Sequence, residues 1–378
     1  MKFEEIVGHQ ALKQQLIDTI RYNRVSHSQL FYGPEGNGAL ALAIAYAQYL
    51  LCENPSEQDS CGTCSSCKQM ASFNYPDLHF VYPIAKQGKS TSKVFSTDFL
   101  SDWKQMVQKD LYFSIYGWLE ALGVQNKQAQ IGVDESAQML RTLQLKSYSG
   151  KHKVMILWMP ERMNASASNK LLKLLEEPPK KTLFIFVSED PDSLLKTITS
   201  RCQKVFIPKF TFNETHAFLQ REENLESGPA QVIARMADGN LAQAKRLAEK
   251  AETYSDYAKL FSHWVRSCFT ADLKQIIGWA EECGKFDREK IKHFLSFCSQ
   301  TFRDSLNIHY KTLEDFNQIF QEVNFELSKF APFVHVGNTP RILQDLDAAA
   351  YDIGRNANPK IVLTDLSLNM ARHLRIKP

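Results

Sequence analysis

The sequence predicts an α/β protein in which a parallel sheet with helices on both faces is followed by all-helical regions. Four short apolar segments typical of buried strands alternate with helical patterns up to about residue 200. Beyond residue 208 the strand patterns nearly disappear. Strands separated by helices pair in parallel, and the helices then cover both faces of the sheet.

The elements can be placed in order along the chain. The predicted strands are residues 29–32, 78–82, 153–158 and 183–187. The predicted helices around them are residues 11–24, 39–51, 99–122, 135–148 and 165–177. Residues 212–250 suit a small helical bundle, and residues 252–378 a larger helical domain.

Composition excludes several classes of protein. Of 378 residues, 44% are hydrophobic and 23% charged, which fits a globular chain with sizeable cores. The net charge of +3 is too small to indicate nucleic-acid binding by overall charge. No segment approaches the roughly 18 apolar residues of a membrane span, and the N-terminus is acidic rather than signal-like. We therefore expect a cytoplasmic protein without membrane contact.

A glycine-rich turn follows the first predicted strand and precedes a helix. Gly33, Gly36 and Gly38 fit the frame of a phosphate-binding loop, in which backbone N–H groups surround phosphate oxygens. A working loop continues with Lys and then Ser or Thr, whereas this chain has Ala39 and Leu40. Spacing alone leaves an ordinary turn as an equal alternative.

Three further positions, two at the end of a strand and one in the helical lid, support a phosphate loop whose catalytic residues have been replaced. The strand at 153–158 ends in Trp158 and Met159, where an ATPase carries carboxylates for Mg²⁺. Glu161 follows Pro160 and is a weak candidate for replacing them. In the helical lid, Ala242 stands where an arginine often reaches the nucleotide. We therefore expect no ATP to be bound or hydrolysed by this chain.

Four of the eight cysteines are clustered with the spacing C-x8-C-x2-C-x2-C. Cys52, Cys61, Cys64 and Cys67 together supply the four thiolates of a tetrahedral structural Zn²⁺ site. A redox pair or an iron–sulfur cluster is the alternative.

Several motifs together resemble a known family. They lie at residues 7–10, 26–36, 169–179 (Asn-Lys-Leu-Leu-Lys-Leu-Leu-Glu-Glu-Pro-Pro), 199–202 (Thr-Ser-Arg-Cys) and 355–360 (Arg-Asn-Ala-Asn-Pro-Lys). With the four cysteines, they resemble the delta-prime subunits of the bacterial DNA polymerase III clamp loader, within the AAA+ superfamily. The resemblance is continuous over residues 1–208 and patchy beyond.

The resemblance implies a domain organisation. Residues 1–208 would form an AAA+ core with the cysteine module at about 52–67 and an insertion at about 84–130. Residues 209–250 would form the lid, and residues 251–378 an all-helical collar for oligomerisation.

The resemblance also implies a role. The chain would be a non-hydrolysing stator that lends Arg201, between Ser200 and Cys202, to a neighbour's ATP site as a trans arginine finger. Implied partners are the gamma/tau-type ATPase and the delta-type clamp-opening subunit, with the sliding clamp and primer-template DNA reached through the complex. The alternatives are an ATP-hydrolysing motor subunit of the same complex and a stand-alone zinc-dependent DNA-binding protein.

Overall fold

The computed structural model describes residues 1–85, 94–124, 129–148, 152–249, 253–312, 320 and 323–376. Within these residues the sheet consists of β1 (Ser28–Tyr32), β2 (Leu78–Val81), β3 (Lys153–Trp158), β4 (Thr182–Ser188) and β5 (Gln203–Phe206). The strand order is β2-β3-β4-β1-β5, and all pairings are parallel. The predicted fold class is confirmed.

Helices occupy most of the remaining described chain. Those before β5 are α1 (Gln10–Arg21), α2 (Ala39–Leu51), α3 (Ser65–Ala71), α4 (Leu100–Lys109), α5 (Ile115–Ala121), α6 (Val133–Gln144), α7 (Ala165–Glu176) and α8 (Lys196–Thr199). Those after β5 are α9 (Phe212–Glu222), α10 (Ser227–Ala237), α11 (Leu241–Ala248), α12 (Thr253–Thr270), α13 (Leu273–Cys283), α14 (Arg288–His309), α15 (Leu327–Phe330), α16 (Thr339–Gly354) and α17 (Pro359–His373).

The chain divides into two compact units. The first contains Met1–Thr215 together with Gly239–Gln243, and the second contains His216–Asp238 with Ala244–Pro378. The division into three domains at residues 208 and 250 stays a prediction. Of the insertion at 84–130, residues 86–93 and 125–128 lie outside the described part of the chain.

Both faces of the sheet are covered because side chains alternate along each strand. On β1, Phe31 meets Tyr46 of α2, with ring centroids 6.0 Å apart. The adjacent Leu30 belongs to the opposite cluster, which includes Leu171 and Leu175 of α7. The outer strand β5 is absent from the sequence prediction because three of its four residues are exposed, so it lacks a continuous apolar run.

An aromatic cluster fixes the helices of the insertion to the sheet. Trp103 of α4 is 1% exposed and stacks on Tyr82 with ring centroids 4.0 Å apart. Trp118 of α5 meets the same two rings and donates from Nε1 to the Pro83 carbonyl at 2.9 Å. Trp158, at the end of β3, lies 5.4 Å from Trp103 between centroids. The end of β3 is therefore a packing surface for the insertion.

We expect Trp103→Ala to lower the free energy of unfolding by about 3–5 kcal/mol, because it leaves a large cavity between five aromatic rings. Urea denaturation followed by circular dichroism measures this loss. Tyr116→Ala is the matched control, since this aromatic of α5 is 57% exposed and its removal should change stability by less than about 0.5 kcal/mol. Equal effects of the two substitutions would contradict the packing role of Trp103.

Among its described residues, the second unit contains helices joined by turns and no strand. Trp264 of α12 and Trp279 of α13 stack with centroids 5.2 Å apart, and Trp264 Nε1 donates to Ser367 Oγ of α17 at 2.8 Å. The motif at 355–360 spans the turn after α16 and the first two residues of α17, and Asn358 caps α17 by accepting from the Lys360 N–H at 3.0 Å. Among the described residues, no helix combines the length and apolar character that a membrane crossing requires.

Candidate functional site

The glycine-rich turn joins β1 to α2 at the carboxyl edge of the sheet, where ligands bind in parallel α/β folds. Gly36 and Gly38 have φ angles of 71° and 81°, which residues with a Cβ rarely adopt. Ala39 and Leu40 are buried, with exposures of 6% and 5%. They belong to the first turn of α2 and present no polar side chain to a phosphate.

The Asn37 side chain bonds to a backbone N–H group of this turn. Its side chain is 4% exposed, and its Oδ1 accepts the backbone N–H of Ala39 at 3.0 Å. That N–H group lies at the start of α2, where a phosphate-binding loop holds its anion. The Nδ2 group donates to the Ile207 carbonyl at 2.9 Å, which fixes the side chain in place. One helix-terminal donor is thus satisfied internally.

Aromatic rings close the turn at Gly38. A Cβ placed on this glycine would lie 3.1 Å from Phe210 and 3.3 Å from Tyr112. His9 packs on Phe210 with ring centroids 4.5 Å apart, and its Nε2 bonds to the Asn37 carbonyl at 2.9 Å. His9 of the segment at 7–10 therefore supports both the glycine-rich turn and Phe210 next to it.

The segment Gly239–Gln243 packs on the other side of the turn and belongs to the same unit. The Leu241 N–H donates to the Gly36 carbonyl at 3.1 Å, and a Cβ on Gly36 would collide with Asn240 Oδ1. Ala242, which stands in place of an arginine, is 5% exposed and lies against the same glycine.

Three carboxyl groups lie near one another beside the turn. Burial, and then the charges of Glu35 and Glu161, raise the pKa of Glu189 to about 8. Burial also raises the pKa of Glu161, whose Oε1 accepts the Glu189 N–H at 3.0 Å. Glu161 thus has a structural contact that accounts for its position without a metal.

Arg201 lies just after α8, in the turn that leads to β5. Its side chain is 37% exposed, and its Nη2 pairs with Glu176 Oε1 at 2.7 Å. Its Nη1 donates to the Thr197 carbonyl at 2.9 Å. A partly exposed pair contributes at most about 1 kcal/mol to stability, so folding does not depend on this arginine.

The residues on either side of Arg201 fix its backbone. Ser200 Oγ donates to the Thr197 carbonyl at 3.3 Å. Cys202 packs against the core cluster of the sheet, and its Sγ lies 3.0 Å from Ser28 Oγ. Burial raises the pKa of this thiol, which fits a packing residue rather than a nucleophile. The motif therefore presents one partly exposed cation from a turn whose flanking residues are held by the fold.

The four clustered cysteines converge in space. Cys52 follows α2, Cys64 precedes α3 as its N-cap, and Cys67 lies in the first turn of that helix. All four Sγ atoms lie within 4.8 Å of one another, and the distances Cys52–Cys61 and Cys61–Cys67 are 3.6 and 3.9 Å. These values exceed the ~2.05 Å of a disulfide.

The spacing of the sulfur atoms suits a single tetrahedral ion. Zn–S bonds of about 2.3 Å place tetrahedral sulfur atoms roughly 3.8 Å apart. Three backbone N–H groups donate to the sulfur atoms of Cys52, Cys61 and Cys64 at 3.3 to 3.4 Å, and such hydrogen bonds orient and stabilise thiolates that bind a metal. Thiolates that each bind a different iron of a cluster would lie farther apart.

The sequence predicts the loop, Arg201 and the four cysteines as sites, but not the residues that contact the loop and Arg201. They are Asn37, Tyr112, Phe210, Asn240 and Glu176. Asn37 and Glu176 lie inside predicted motifs, and Asn240 lies two residues before Ala242, so all three carry a local signal. Tyr112 and Phe210 come from distant segments.

Comparison with known proteins identifies relatives in DNA replication. A family model described as "DNA polymerase III, delta subunit" matches residues 8–211. DNA polymerase III subunit delta' of Bacillus subtilis is 29% identical over 65% of this chain and 60% of its own length. DNA polymerase III subunit tau of the same organism is 25% identical over 67% of this chain, but only 38% of that relative is spanned. The delta' subunit of Escherichia coli is 22% identical over 96% of this chain and 94% of its own length.

Proposed function

Since the chain belongs to the DNA polymerase III delta-subunit family, we propose that it is a clamp-loader subunit that does not hydrolyse ATP itself. It acts as a stator, against which the ATPase subunits of the complex move. It completes a neighbouring subunit's ATP site with Arg201. The partners are gamma/tau-type ATPase subunits and a delta-type clamp-opening subunit, which together load the sliding clamp onto primer-template DNA.

The observation that carries this proposal is the contrast between two sites of one unit. In the phosphate loop, Asn37 Oδ1 accepts the Ala39 N–H, and Phe210 and Tyr112 lie next to Gly38, which supports a loop that does not bind a nucleotide. Arg201 is partly exposed in the turn between α8 and β5. Because Arg201 lies outside the phosphate loop of its own chain, it is suited to contact a nucleotide that another chain binds.

An arginine finger acts by neutralising charge that develops on the γ-phosphate oxygens as the bond to the β-phosphate breaks. The planar guanidinium offers parallel N–H donors, which match two phosphate oxygens better than a lysine ammonium does. Arg201 supplies this donor set from the turn between α8 and β5, whose position is fixed by Cys202 against β1.

We propose that the four cysteines hold a structural Zn²⁺. Each thiolate would occupy one of four positions, which leaves no open coordination site for catalysis. The module joins the end of α2 to α3, so the ion would stabilise this connection within the first unit.

We expect the isolated chain to bind Mg-ATP with a Kd weaker than about 1 mM. Ala39→Lys combined with Leu40→Thr should not restore binding or turnover, because Asn37 and Phe210 still contact the turn and Trp158 still replaces a carboxylate. Isothermal titration calorimetry and a phosphate-release assay measure the two quantities. Micromolar affinity with turnover in the unmodified chain would favour the motor subunit instead, and tight, salt-sensitive DNA binding by the chain alone would favour the DNA-binding protein.

A further inference from the structure

Both terminal nitrogens of Arg201 are held by this chain. Nη1 donates to the Thr197 carbonyl at 2.9 Å, and Nη2 donates to the carboxylate of Glu176 at 2.7 Å. The two acceptors belong to different elements, α8 and the last residue of α7. A partly exposed arginine without such partners occupies many rotamers, whereas two acceptors on separate elements favour one arrangement.

We propose that Glu176 is a positioning residue, which holds Arg201 ready for the phosphate group of a nucleotide bound by a neighbouring subunit. This inference rests on the proposed function. The guanidinium has five N–H donors, and two of them are used within the chain. Three remain for phosphate oxygens, and donors that are already in place need no reorganisation when charge develops in the transition state.

Glu176 lies at an end of α7 that is anchored in the hydrophobic core. The preceding residues, Leu174 and Leu175, are 4% and 2% exposed and belong to the core cluster under the sheet. Glu176 is thus tied to the same core that holds Cys202 beside Arg201. Glu176 and Arg201 are both next to residues that the same core cluster holds, so the ion pair fixes the direction of the guanidinium relative to the sheet.

The test uses the reconstituted complex in which this chain completes one ATP site. We expect Glu176→Ala to lower kcat for ATP at that site by about three- to tenfold with KM changed less than twofold, because orientation matters most in the transition state. Glu176→Gln keeps an oxygen that accepts the Nη2 hydrogen bond and should retain kcat within about twofold. An unchanged kcat in Glu176→Ala would overturn the proposal. So would a higher kcat, because it would show that the carboxylate competes with phosphate for Arg201.

Glu177→Ala is the matched control, since it removes the same charge from the next residue, for which no contact with Arg201 is found in the described part of the chain. It should leave kcat within about twofold of the original. An equal loss in Glu177→Ala and Glu176→Ala would point to the charge of the helix end and overturn the positioning role. Failure of the proposed function is recognised separately, because Arg201→Ala would then have no effect either.

A second measurement does not need the partner subunits. The ¹⁵Nε–Hε signal of Arg201 in the full chain, assigned by its loss in Arg201→Lys, reports side-chain order through its heteronuclear Overhauser effect. We expect the effect to fall clearly in Glu176→Ala and to stay unchanged in Glu177→Ala. Equal values in the original chain and Glu176→Ala would show that Glu176 does not order the arginine.

Discussion

Arg201→Ala is expected to slow ATP hydrolysis at the neighbouring site on the order of 10³-fold, because trans arginines contribute 10³–10⁵ in rate in other systems. The measurement is a single-turnover assay on a reconstituted complex in which the remaining ATP sites lack the lysine of their phosphate loops. In that background the signal comes from the site that this chain completes. Clamp loading onto primed DNA should fall with it.

Arg201→Lys separates the effect of the positive charge from that of the guanidinium geometry, and a thermal midpoint checks that Arg201→Ala still folds. Lysine keeps the positive charge but cannot form two parallel hydrogen bonds, so it should recover only part of the rate. The thermal midpoint of Arg201→Ala should lie within a few degrees of the original, since its partly exposed pair with Glu176 contributes at most about 1 kcal/mol. Full activity of Arg201→Ala in the complex would refute the finger.

Removing the metal is expected to unfold the cysteine module locally. Structural Zn²⁺ in small zinc-finger peptides contributes an apparent 10–16 kcal/mol, which is comparable to the whole stability of a typical domain. Cys64→Ser should reduce zinc from one ion per chain to a small fraction, measured by elemental mass spectrometry. Amide exchange over residues 52–71 should accelerate more than about a hundredfold, whereas β1 and β3 stay protected.

Cys268→Ala serves as the matched control for the metal site. This cysteine is fully buried in α12 of the second unit, so its removal affects packing and should leave one zinc per chain. If the purified chain contains no zinc and a chelator changes neither exchange nor stability, the structural metal is refuted.

The sequence predicted the parts of the fold that depend on local pattern. The strands β1, β3 and β4 are fully or almost fully buried, so each appears as an apolar run bounded by turn residues. The edge strand β5 carries exposed polar residues such as Lys204, and its identity depends on pairing with β1. No periodicity in four residues reveals such a pairing.

The candidate site shows the same limit. The sequence shows that Ala39 and Leu40 have lost polar groups, but not what takes the place of a nucleotide. Phe210 and Tyr112 are separated from the loop by many residues, and only the fold brings them to Gly38. In the sequence, Trp158 is noticed only because it stands where an ATPase has a carboxylate. In the structure, its ring packs against Trp103 and supports the insertion.

The contact between Gly239–Gln243 and the glycine-rich turn has a thermodynamic consequence. A ligand shifts a conformational equilibrium only by the difference in its affinity for the two states. The Ala39 N–H of the turn already bonds to Asn37 Oδ1, so a phosphate would have to displace that amide oxygen before it could accept from this donor, and Leu241 holds the turn from outside by donating to the Gly36 carbonyl. The turn should therefore keep the same geometry at any ratio of ATP to ADP in the cell, and this subunit would be a constant reference in an assembly whose other members respond to nucleotide.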